Sequence, residues 1–86
     1  MRHARDQDLD RLDELLAELR TLPGLVEKKR GVFYRKGKSF LHFHEDPKGL
    51  FADIGGGAAG GDFERIDVTE ADGQAGLLKT ARERLG

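Results

Sequence analysis

Eighty-six residues with a formal net charge of −1 allow one small domain and exclude a multidomain architecture. The absence of cysteine excludes disulfides, thiolate metal sites and a cysteine nucleophile, and fits a reducing compartment. No apolar run approaches the length of a membrane helix, and the first residues, Met-Arg-His-Ala-Arg-Asp, lack the apolar middle of a signal peptide, so a soluble, cytoplasmic protein is expected, with no membrane partner.

The charge is unevenly spread. Residues 23–38 hold six cations against Glu27 alone, while residues 39–72 hold eight acids against Lys48 and Arg65. The local basic block carries more information than the total.

Residues 1–6 are expected to be disordered. Leu9, Leu12, Leu15, Leu16, Leu19 and Leu22 then recur at helical spacing and predict an amphipathic helix over about 7–21. Asp6 or Asp8 is placed to cap it, and Pro23-Gly24 stops it. From Gly31 the period becomes two, giving a strand over 31–35, with Lys36-Gly37 as a two-residue hairpin loop and a second strand over 39–45. Asp46-Pro47-Lys48-Gly49 has the residue order of a type I turn, a third strand follows over 50–54, and a weaker fourth over 62–68. Between the last two lies the glycine-rich stretch 55–61, read as a flexible connection because it lacks the Gly-Lys-Ser/Thr ending of a phosphate loop. Thr69 reads as the N-cap of a closing helix with Ala75, Leu78, Ala81 and Leu85 on its inner stripe, and with Gly73 and Gly76 as weak points. The fold class is α+β: an α-β-β-β-β-α chain whose two helices pack on one face of a four-stranded antiparallel meander.

The two short loops fix a register. Phe33 is expected opposite Phe40 and Val32 opposite Leu41; His44 opposite Phe51, His42 opposite Asp53, Phe43 opposite Ala52 and Leu41 opposite Ile54. Alternation sends Val32, Tyr34, Leu41, Phe43, Leu50, Ala52 and Ile54 to the helices. It leaves Phe33, Arg35, Lys38, Phe40, His42, His44, Phe51 and Asp53 on the other face. Three clustered Phe beside two His and an Asp make an unusually apolar uncovered face. The binding face expected from this is Phe33, Phe40, His42, His44, Phe51 and Asp53, suited to a protein partner or a homodimer, with the His42–Asp53 pair as a pH-sensitive element. The opposing reading is an aromatic face covered by the closing helix or the glycine-rich stretch.

Two alternatives use other chemistry. His42 and His44, two apart on a strand, point the same way and with Asp53 form a candidate metal set, one ligand short of the usual minimum unless Asp53 coordinates. Lys28, Lys29, Arg30, Arg35, Lys36 and Lys38 form a basic hairpin that suits a phosphate backbone, with Phe33 or Tyr34 for stacking; a charged edge that resists aggregation accounts for the same residues. The acids of the first helix (Asp6, Asp10, Asp13, Glu14, Glu18) alternate with Arg5 and Arg11 and read as a solvated face. No set of residues calls for a cofactor or for catalysis, so a binding module rather than an enzyme is expected.

The helix, the segment Leu22-Pro23-Gly24-Leu25-Val26-Glu27, the strand running to Lys36-Gly37-Lys38-Ser39-Phe40, the short strands and the closing helix together resemble the small MmcQ/YjbR-like proteins. That resemblance implies a frataxin-like α-β-α shape and nucleic-acid binding, proposed for some members. The run Gly-Lys…His-x-His…Gly-Leu-x-Ala-Asp over 37–53 is similar to a bacterial luciferase-like domain, which implies that the His face is the meaningful one.

Overall fold

The computed structural model describes residues 2–56 and 63–86. The glycine-rich stretch expected to be flexible, 55–61, falls outside the described residues from position 57 onward. The chain runs β1 (Arg2–His3), α1 (Asp6–Leu9), a 3-10 turn (Asp10–Leu12), α2 (Asp13–Arg20), β2 (Leu25–Lys29), β3 (Val32–Arg35), β4 (Lys38–Asp46), β5 (Gly49–Ile54), β6 (Glu64–Asp67) and α3 (Ala71–Leu85). It is an α+β arrangement with one antiparallel sheet in the order β2-β3-β4-β5-β6, and β1 pairs with β4 off that path. Among the described residues no helix is long and apolar enough to cross a membrane.

The leucine stripe becomes the first helical layer. Leu9, Leu12, Leu15, Leu16 and Leu19 are buried with Leu41, Phe43, Leu50, Ala52 and Ile54 of the sheet and Leu77 and Ala81 of α3 in one cluster. Asp8 caps from inside the first turn: its carboxylate accepts the backbone N–H of Arg5 at 2.9 Å, and Arg5 is the N-cap. At the closing helix, α3, the N-cap is Glu70 rather than the expected Thr69. The Thr69 hydroxyl instead accepts the backbone N–H of Leu50 at 3.0 Å, extending the β5 edge past the end of β6. Leu77 and the expected Ala81 are the wholly buried residues of α3; Ala75 is exposed, and Leu78 and Leu85 lie at the margin.

Two strands stand where none was expected. β2 pairs with β3 through a tight turn at Arg30-Gly31, with Gly31 at φ 78° and its N–H held by Glu27 Oε2 at 2.9 Å. β1 lies in the segment expected to be disordered, with Arg2 opposite Glu45 and His3 opposite His44. The hairpin loop at Lys36-Gly37 forms as expected, with φ 53° and 78°. Both values belong to a type I′ turn, and Lys36 bears the cost of a left-handed conformation that Asn or Gly adopts more easily. Lys36→Asn is expected to raise stability by up to about 1 kcal/mol in urea unfolding; an unchanged midpoint would contradict this.

The β4–β5 register is the expected one at every position, including His42 opposite Asp53 and His44 opposite Phe51. The β3–β4 register is not. Phe33 pairs with Leu41 while Tyr34 pairs with Ser39, so Phe40 is an extra residue on β4. A bulge shifts the pleat by one and turns every side chain of the partner strand to the opposite face. Phe33 thus enters the core at 1% exposure, where it was expected on the open face. Val32 and Tyr34 turn outward in its place, and Arg35 reaches the end of α3, donating to the carbonyls of Arg84 and Leu85. Phe40, also expected on the open face, is buried at 2% in the same cluster.

Candidate metal centre

With Phe33 and Phe40 removed, the expected aromatic face reduces to Phe51, half-buried, and a group of polar rings around His42 and His44. Phe63, 44% exposed, stands edge-on to the His42 ring with centroids 5.2 Å apart. What replaces the missing Phe is a third imidazole. The β1–β4 pairing sets His3 directly beside His44, ring centroids 4.9 Å apart and stacked, and 6.0 Å from His42. One ring nitrogen from each of His3, His42 and His44 lies within 4.8 Å of the others.

The inner contacts are tighter. His42 Nδ1 is 2.9 Å from His44 Nε2, and His44 Nε2 is 3.1 Å from Asp53 Oδ2. Asp53 was expected to serve His42, its cross-strand neighbour; its carboxylate contacts His44, one step along the diagonal. Both contacts at His44 Nε2 are attractive only if that nitrogen carries a proton, shared between the carboxylate and the lone pair of His42 Nδ1. Three Lewis bases thus converge on one small cation. Ligands held at 2.0–2.1 Å around tetrahedral zinc stand about 3.3 Å apart, so the His42–His44 and His44–Asp53 separations need adjust by only about half an ångström to accept a metal in place of the proton, while the His3 ring, within 4.8 Å of the others, must close by up to about 1.5 Å.

Electrostatics sets the protonation of the site. Burial, and then the neighbouring His44, push His42 below the usual imidazole range, which keeps its lone pair free at neutral pH. The Arg65 guanidinium grips both oxygens of Asp53, at 2.8 and 3.0 Å, and holds its carboxyl below the usual carboxylate range. His44 and Asp53 are nearly enclosed, with side chains 14% and 12% exposed, while Arg65 is 52% exposed and closes the group from outside.

His3 and Arg65 carry no signal in the sequence itself. A two-residue strand has no period to detect, and a glycine-rich connection gives no turn from which the β5–β6 register and the Asp53–Arg65 pairing could follow.

The basic hairpin is partly dismantled. Arg30 turns to α1 and α2 and pairs with Asp6, Asp10 and Asp13, the acids expected to form a solvated face. Arg35 is committed to the end of α3. Lys28 lies over the Tyr34 ring at 4.7 Å from its centroid, and Lys28, Lys29, Lys36 and Lys38 are exposed.

Comparison with protein-family models, with curated proteins and with solved structures finds no match.

Proposed function

We propose that this chain is a metal-binding module whose ligands are His3, His42 and His44, with Asp53, held by Arg65, beside the ion. The observation that carries the reading is His3: strand β1 supplies the third imidazole that a His-x-His pair lacks. Three neutral imidazoles suit zinc or a late first-row metal and leave a fourth position open, the pattern of sites that engage a further ligand. Asp53 reaches the same His44 nitrogen that faces His42, so its carboxylate lies beside the proposed ion rather than behind the ligand, with both oxygens held by Arg65.

The test is a thermal unfolding series with zinc. At free zinc a hundredfold above Kd, linkage stabilises the fold by about 2.7 kcal/mol, which at this chain length corresponds to a rise in Tm on the order of 10–20 °C. His3→Ala is the informative variant, because His3 is exposed and its loss leaves the core intact. It should unfold within about 2–4 °C of the parent without metal and lose most of the zinc-induced shift. A zinc response equal in parent and variant would remove His3 from the centre, and no response in the parent would end the metal reading.

A further inference from the structure

Strand β1 leaves part of the β4 edge uncovered. β3 pairs with β4 as far as Leu41, β1 takes over at His44, and Ala4 N–H donates to the Phe43 carbonyl between them at 3.0 Å. At this gap lies a cavity of about 570 Å³, within the range of small-molecule sites. Leu9, Val32, Tyr34 and Phe43 give it apolar walls, Lys28 and Lys29 line it, and His3 forms the side toward the metal centre.

The charges around it are unbalanced. Asp53 is neutralised by Arg65, so a divalent ion on three neutral imidazoles would keep its full double charge. Lys28 and Lys29 add two more cations, and neither belongs to an ion pair among the described residues. Arg30, which also lines the cavity, is already engaged by three carboxylates. Apolar walls, two ammonium groups outside any ion pair among the described residues, one of them over the Tyr34 ring, and an open metal position define one class of ligand.

We infer that this cavity binds a small organic carboxylate with an apolar body, its headgroup between the two lysines and the His3 side and its body against Tyr34, Val32 and Phe43. The link to the metal rests on the reading of the three imidazoles given above; the cavity and its lysines do not.

Isothermal titration of the whole chain with benzoate, with and without zinc, tests this. Benzyl alcohol serves as the neutral isostere and inorganic phosphate as the anion without an apolar body. Benzoate should bind at least tenfold more tightly than either, and joint replacement Lys28→Ala and Lys29→Ala should weaken it at least tenfold while leaving zinc binding unchanged. Tighter benzoate binding with zinc present would place the headgroup on the metal. Lysine-dependent benzoate binding that ignores zinc would sustain the cavity while failing the metal link. No benzoate binding, or binding equal to that of benzyl alcohol or indifferent to the lysines, would overturn the inference even if zinc itself binds.

Discussion

Phe33→Ala is expected to destabilise the protein by about 3–5 kcal/mol, the usual cost of emptying a buried aromatic site. The ring is 1% exposed and sits among Leu41 and the other core residues of the sheet. Small domains commonly have only about 5–15 kcal/mol of stability in total, so the variant should unfold at markedly lower urea concentration. Phe51→Ala, at the half-buried position opposite His44, should cost clearly less. Equal and small losses at both positions would mean that Phe33 is a surface residue and that the bulge at Phe40 does not form.

The second large effect concerns two glycines of α3 that look alike in sequence. A Cβ at Gly73 would drive into the carbonyl oxygen of Asp67 and lie 3.0 Å from its carbonyl carbon and 3.4 Å from Val68 Cα. These are backbone atoms and cannot swing aside. Gly73→Ala should therefore cost about 1–3 kcal/mol, as overpacked sites do, despite the better helix propensity of alanine. A Cβ at Gly76 meets nothing within 4 Å. Gly76→Ala should add about 1 kcal/mol. Urea midpoints moving in opposite directions for these two substitutions are the expected result. Both moving upward would show that α3 does not approach the end of β6 as closely as described.

These cases mark where the sequence was readable. Leu9 to Leu19 repeat with the helical period and do form the helical layer; Pro47-Lys48 has the residues its turn demands and sets the β4–β5 register correctly down to His42 opposite Asp53. The β3–β4 register failed although the Lys36-Gly37 turn was right, because a bulge at Phe40 comes after the turn and nothing about a phenylalanine announces one. That single extra residue moved Phe33 into the core and took Arg35 off the open face, which dissolved the aromatic patch. Gly73 read as a weakness because propensity knows nothing of a neighbouring strand. The His-x-His pair was visible, but its companions were not: His3 is far away in sequence, and Arg65 lies beyond a stretch with no turn signal.

The strand that carries His3 is two residues long and is held by its pairing with Glu45 and His44, by the Arg2–Glu45 ion pair and by the Ala4 amide on Phe43. So short a strand opens far more readily than the central sheet, since terminal segments lie at the low end of local stability. The third imidazole is present only in the fraction of molecules in which β1 is docked, and an apparent dissociation constant is the intrinsic one divided by that fraction. If the chain binds metal as proposed, any residue that shifts the docking equilibrium, such as Arg2 or Glu45, sets that affinity without touching the ion. The exchange rate of the Ala4 amide reads out that population directly.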